Sequence, residues 1–118
     1  MQNKIFTFKQ FQVQQCDQVF EIGTDALLLG SLTELSDQVH SILEVGAGTG
    51  VVSLMFAQRS KAMITAIDVN EYAVKCANLN FKNSKFSNQL FAQQLNLKDI
   101  KGDIQYDLIV SNPPFHES

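Results

Sequence analysis

The stretch Ser41-Ile42-Leu43-Glu44-Val45-Gly46-Ala47-Gly48-Thr49-Gly50, continued by Val51-Val52-Ser53-Leu54-Met55-Phe56-Ala57-Gln58-Arg59, decides the fold. It opens on a short apolar and β-branched run that predicts a strand over residues 42–45. The continuation places its apolar residues on one helical face and predicts a helix. Between the two, Gly46, Gly48 and Gly50 let the backbone approach a ligand closely and adopt φ values closed to other residues. The next apolar run, Met63-Ile64-Thr65-Ala66-Ile67, ends in Asp68. An acid roughly 20 residues beyond such glycines is placed to grip ribose hydroxyls in a βαβ unit. The dinucleotide fingerprint G-x-G-x-x-G would need glycine at position 51, where Val51 stands, so a loop that seats a pyrophosphate is not predicted.

Outward from this unit the alternation of strands and helices continues. A crossover helix starts near Asn70, its cap candidate, and carries Ala73, Val74, Ala77 and Phe81 at helical spacing. Residues 89–93 predict a weaker strand and residues 107–111 a stronger one. Upstream, residues 5–13 alternate as a strand, with residues 19–22 as its partner across a Gln14-Gln15-Cys16-Asp17 turn. Thr24 or Asp25 then caps a helix that runs to about residue 35. The expected architecture is α/β: a Rossmann-like, doubly wound, mostly parallel sheet, preceded by a β-hairpin and a helix. Residues 1–36 would form the hairpin and helix, and residues 37–118 the first part of the sheet domain. In such sheets ligands bind at the carboxyl ends of the strands, where Gly46, Asp68, Asn96 and Asn112 all fall.

The last predicted strand runs into Asn112-Pro113-Pro114-Phe115. Two prolines fix φ and remove backbone donors, and Pro113 pushes Asn112 out of the helical region. The Asn112 side chain and the nearby carbonyls then form a rigid row of acceptors beside the flat face of Phe115. That arrangement suits a planar –NH2 group, on a nucleobase or on a glutamine amide. The same four residues also read as a strand that stops at a turn.

Taken in order, Glu44, Gly46-x-Gly48-x-Gly50, Asp68 and the Asn-Pro-Pro-Phe tetrad resemble the class I methyltransferases that modify amino groups. Phe6-Thr7-Phe8-Lys9-Gln10-Phe11 and Ile22-Gly23-Thr24-Asp25-Ala26-Leu27-Leu28-Leu29-Gly30 narrow the likeness. They resemble the opening of the bacterial tRNA (adenine-N6) methyltransferases that act beside the anticodon of a valine tRNA. The resemblance implies S-adenosylmethionine as cofactor and transfer of its methyl to an exocyclic N6 amine. It implies that Asn112, Pro113, Pro114 and Phe115 hold the target base. Glu44 would make a water or amine contact, Gly46, Gly48 and Gly50 admit the methionine part, and Asp68 takes the ribose. Val69 would face the adenine and Asn96 its amine. Thr24 and Asp25 would either close over the cofactor or simply cap the helix. Asn96 stands where many relatives carry aspartate, and Glu21 where a basic residue is common. Phe115-His116 also resembles the rRNA guanine-N2 methyltransferases, and the tetrad serves protein-glutamine methyltransferases too. Those two activities, and a fold unit with no activity of its own, are the alternatives.

Composition sets bounds on these expectations. At 118 residues with 45% hydrophobic content, the chain can bury one core. A doubly wound sheet needs strands beyond the tetrad, so the chain is expected to be the N-terminal part of a longer protein. The net charge of −3 gives no global footprint for RNA. Lys75, Lys82, Lys85, Lys98 and Lys101, with Lys4 and Lys9, are either solvated surface or local contacts to tRNA, the expected partner. An rRNA or a release factor would replace it under the alternatives. Cys16 and Cys76, without a secretory leader, predict reduced thiols in the cytoplasm. His40 and His116 have no companions at ligand spacing, so no metal site is expected. No apolar run reaches membrane-spanning length.

Overall fold

In the computed structural model, residues 4–102 and 104–112 are described. The apolar run of the glycine unit forms β3 (Ser41–Val45), one residue longer at its start than the strand expected over 42–45, and its helix is α2 (Val51–Arg59), where expected. Next come β4 (Met63–Asp68), α3 (Glu71–Lys82), β5 (Leu90–Gln94) and β6 (Leu108–Ser111). Asn70 caps α3 as expected, its side chain accepting from the Tyr72 amide at 2.8 Å. The four strands form a parallel sheet in the order β5-β4-β3-β6. From β3 the chain winds one way through β4 and β5, then returns to the other side of β3 with β6. The switch point of the sheet therefore lies between β3 and β6, and crevices for ligands open at such points.

Ile42, Leu43, Ile64, Ala66 and Ile67 are fully buried in the sheet, and α2 buries seven consecutive residues, Val51 to Ala57. A helix buried nearly all round must be covered on more than one side. The cover is α1 (Thr24–Leu32), which approaches α2 closely at Gly30: a Cβ there would lie 2.5 Å from Met55 Sδ. Arg59 fixes the pair, donating to the carbonyls of Gly30 and Thr33 at 2.7 and 2.6 Å. Phe11, Val13 and Ala26 join the same core as β3 and α2.

The hairpin is real but sits elsewhere than predicted. Its strands are β1 (Lys4–Thr7) and β2 (Gln12–Gln15), paired antiparallel. The turn falls at residues 8–11, inside the stretch expected to be a single strand, and is closed by Phe8 N donating to Phe11 O at 2.8 Å. Phe8 and Phe11 stack with ring centroids 4.7 Å apart. An aromatic turn carries none of the Gly, Asn or Pro punctuation that marks hairpins, and it continues the apolar alternation. Residues 19–22 are not a strand. Their backbone is bonded instead by the buried Gln15 side chain, which donates to Val19 O and Phe20 O and accepts from Ile22 N. The helix that follows ends at Leu32, and its cap is Gly23 with no side-chain hydrogen bond, so neither Thr24 nor Asp25 caps it.

A second correction concerns sulfur. Cys16 and Cys76, expected as free thiols, are joined in a disulfide with a Cα–Cα distance of 6.0 Å. Cys76 lies on the buried face of α3, and that face packs on β2 through Asn80, which accepts from Gln14 N and donates to Gln14 O. This packing brings together two cysteines 60 residues apart in sequence, which no local pattern reveals. The expected reducing, cytoplasmic setting therefore gains no support from these residues. Among the described residues no helix is long and apolar enough to cross a membrane.

Gly50 gives the fold its sharpest local test. It adopts φ 88°, and an added Cβ would lie 2.6 Å from the Phe81 ring. Gly50→Ala should lower unfolding free energy by about 1–3 kcal/mol, combining left-handed strain with overpacking. Denaturant titration checks this. Unchanged stability would mean that α2 and α3 do not approach each other as described.

Candidate active site

The carboxyl ends of the strands surround a cleft of about 1140 Å³. Val45, Gly46, Ala47, Gly48 and Thr49 line it where the chain leaves β3; Asp68 and Val69 line it from β4, Asn96 from beyond β5, and Asn112 from the end of β6. Residues 19–26 line it as well, from the segment clamped by Gln15 to the start of α1, so Thr24 and Asp25 face the cleft. Eight of the expected site residues thus meet in one place.

The glycine loop turns back onto β4. The amides of Gly46 and Ala47 both donate to Ile67 O, at 2.8 and 2.9 Å. Gly48 N donates to Asp68 Oδ2 at 3.1 Å, and Asp68 Oδ1 accepts from Asn70 N at 2.9 Å. Each carboxylate oxygen has a further lone pair for a ligand hydroxyl, and the two backbone donors fix its direction. A Cβ built on Gly48 meets nothing within 4 Å, so the loop faces open space that a ligand can occupy. Val69, 64% exposed, presents a bare apolar surface in the same cleft. Asn96 Oδ1 accepts from the Lys98 amide at 3.1 Å and keeps a second lone pair for a ligand amine, while its Nδ2 hydrogens can donate.

Two expected cofactor contacts are placed differently. Gly50 is not among the residues that line the cleft; it lets α2 and α3 approach. Glu44 does not line it either. Its side chain has no exposed surface and accepts from Ser53 Oγ at 2.6 Å and from Asn112 Nδ2 at 3.4 Å. Glu44 lies within β3 with its side chain directed at α2 and the end of β6, so it cannot present itself to a ligand above the loop. Asn112 is itself anchored by its backbone, which donates to Val45 O at 2.7 Å. Pro113, Pro114 and Phe115 lie outside the described residues.

Three contributors escaped the sequence reading. Ser53 was passed over as one residue of an apolar helix, although a lone hydroxyl there is the kind of partner that a buried strand carboxylate requires. Gln15 holds the wall at residues 19–22. Asn80 donates to Thr49 O at 2.8 Å as well as to Gln14 O, which ties the glycine loop to the hairpin.

Comparison with known proteins agrees with this geometry. Residues 7–118 match the family described as methyltransferase small domain. A curated tRNA1(Val) (adenine(37)-N6)-methyltransferase of Flavobacteriaceae bacterium (strain 3519-10) is 48% identical over 116 residues, 98% of this chain and 50% of that protein. Its counterpart in Flavobacterium psychrophilum is 44% identical over 115 residues, 95% of this chain and 49% of the relative. The chain thus spans about half the length of the curated relatives it matches. Among solved structures, P. horikoshii TYW2 in complex with MeSAdo aligns with a TM-score of 0.73 at 17% identity, covering 91% of this chain and 41% of that one. A SAM-dependent methyltransferase from Agrobacterium tumefaciens aligns with a TM-score of 0.72 at 17% identity, covering 96% and 40%. These two likenesses establish the Rossmann-like fold.

Burial pushes the Glu44 carboxyl from its ordinary 4.5 up to about 8; the Ser53 and Asn112 hydrogen bonds oppose the rise and the charge of Asp68 adds to it. Between those two values the native chain holds a proton that the unfolded chain has released. Stability from this group is therefore full below pH 4.5 and falls as pH rises toward 8. The loss approaches about 1.4 kcal/mol per pH unit inside that window. Glu44→Gln should flatten this part of the pH–stability curve, as read by urea unfolding from pH 5 to 9. Parallel curves for the two proteins would show that Glu44 is not buried as described.

Proposed function

The chain belongs to the methyltransferase small-domain family, and on that footing we propose that it carries the cofactor cleft and the base-holding Asn112 of a tRNA adenine-N6 methyltransferase. The substrate is the exocyclic amine of an adenine in the anticodon loop of a valine tRNA. One observation carries the chemistry: Asn112 sits on the same cleft as a glycine loop and the Asp68 carboxylate, with its backbone tied to Val45. The activity for which the relatives are named supplies the choice of base and RNA.

The residues fit S-adenosylmethionine. The open space at Gly48 admits a ligand's close approach, and the cleft is large enough for a nucleoside and more. Gly46 and Gly48 would border the methionine part, Asp68 hold the ribose hydroxyls, and Val69 lie against the adenine. Asn96 would face the amine of that ring, and Thr24 and Asp25 would close the opposite side. When bound, this cofactor supplies a sulfonium-activated methyl group.

The chain's own contribution is to orient the amine. An exocyclic adenine nitrogen is planar and weakly nucleophilic because its lone pair is delocalised into the ring. Asn112 Oδ1 would accept one N–H and, as the resemblance implies, the Pro113 carbonyl the other, which favours the positive charge that grows on nitrogen in the transition state. A strong base is unnecessary, since the alkylated nitrogen loses its proton readily. By the same resemblance Phe115 would stack on a base turned out of the loop, where unpaired bases are splayed at low cost.

Asp68→Ala in the intact protein should weaken S-adenosylmethionine binding by about 1–3 kcal/mol, the scale of charge-assisted hydrogen bonds lost. Unchanged affinity in calorimetry would remove Asp68 from the site. The functional test is mass spectrometry of tRNA nucleosides from cells that lack the gene. Loss of N6-methyladenosine at one anticodon-loop position of valine tRNA, restored by the wild-type gene but not by Asn112→Ala, is expected. Intact tRNA methylation with N2-methylguanosine missing from rRNA would overturn the proposal.

A further inference from the structure

We propose that Glu44 is a positioning residue: by accepting from Asn112 Nδ2 it sets the amide orientation that turns Oδ1 toward the substrate amine. The inference rests on the role given to Asn112 above and deepens it. An asparagine amide has a donor end and an acceptor end, and only the acceptor end can receive an amine N–H. Nothing in Asn112 itself selects between the two orientations, and its backbone bond to Val45 O leaves the side-chain torsion free. The buried carboxylate supplies the selection. Ser53 Oγ donates to its Oε1 at 2.6 Å, so Oε2 is the oxygen that meets Asn112, at 3.4 Å from Nδ2. Rotating the amide by half a turn would bring Oδ1 against the ionised Oε2, two acceptors facing each other where Oε2 itself is buried, which disfavours that orientation.

The protonation state of Glu44 matters for the same reason. A carboxylate accepts only, so it enforces one orientation of Asn112. A neutral acid has one acceptor oxygen and one hydroxyl donor, so it can satisfy either orientation. With the Glu44 carboxyl pushed up to about 8, the orienting form gains population through the mildly alkaline range. The surrounding elements supply few other charges. On α2, Ser53 faces Glu44, and the helix's one charged side chain, Arg59, is engaged with the carbonyls of Gly30 and Thr33. On β4, Asp68 acts through its charge; β6 carries no charged residue.

Glu44→Gln is the direct test, because glutamine keeps the shape and the acceptance from Ser53 while presenting Nε2 to Asn112. Its amide then favours Asn112 turned the wrong way. In the intact protein with S-adenosylmethionine and valine tRNA, kcat should fall roughly ten-fold or more, while KM and cofactor Kd stay within about two-fold. In an Asn112→Ala background the same substitution should cost nothing further, since Glu44 acts through Asn112. Wild-type kcat should rise with pH through a midpoint near 8. That limb should vanish in Glu44→Gln and move to higher pH in Ser53→Ala, which loses a bond favouring the charged form. A readout independent of activity is the Asn112 side-chain amide resonance in nitrogen-15 NMR. It should titrate with the same midpoint in wild type and not in Glu44→Gln. Wild-type kcat in Glu44→Gln, losses that multiply with Asn112→Ala, or an amide resonance that ignores pH would each overturn the proposal. An amide that titrates as described in a protein that leaves valine tRNA unmethylated would keep the positioning role and refute the assigned substrate.

Discussion

A carboxyl group without any exposed surface, in the middle of a parallel sheet, is the constraint around which this structure is organised. Glu44 would be costly to bury unpartnered. Its two oxygens draw a hydroxyl from α2 and an amide from the end of β6, so three elements converge at one point. The glycine loop begins two residues later. The same group that must be satisfied for folding therefore fixes the relation between the loop proposed to border the cofactor and the asparagine proposed to meet the substrate. The two halves of the site share a single anchor inside the sheet, just below the switch point where ligands enter.

Much of this was legible in the sequence, because the β3–α2 unit obeys local rules. Its strand and helix, the Asn70 cap and the position of Asp68 follow from apolar periodicity and loop chemistry alone, and they stand as predicted. The cleft also assembled from residues chosen for their place at strand ends. What failed depended on contacts between distant segments. The hairpin turn is built from stacked Phe8 and Phe11 rather than from turn residues, so its pattern imitates a continuing strand. Residues 19–22 have strand-like composition, yet a buried glutamine from β2 satisfies their backbone. Cys16 and Cys76 meet only because α3 packs on the hairpin. Glu44 was expected beside the cofactor, and its side chain instead lies buried against Ser53 and Asn112, since nothing in the linear pattern says which way a strand side chain points.

The N-terminal segment does more than precede the sheet. Gln15 and Asn80 together bind the hairpin to the cleft wall and to the glycine loop, and Arg59 ties α1 to α2. Thr24 and Asp25 therefore face the cleft from a helix held at both its ends: by close contact at Gly30 and by the clamped segment before it. A sequence block that first counted only as a mark of resemblance has a mechanical reason to be there.

The most direct measurement of the account is a crystal structure of the intact protein with S-adenosylhomocysteine. The product should lie in the cleft with its ribose hydroxyls on Asp68 and its amino-acid end along Gly46 and Gly48. Asn112 should keep its Nδ2 on Glu44 and turn its Oδ1 toward the sulfur. Product bound away from the glycine loop, or an Asn112 side chain that has left Glu44 and points away from the sulfur, would contradict it.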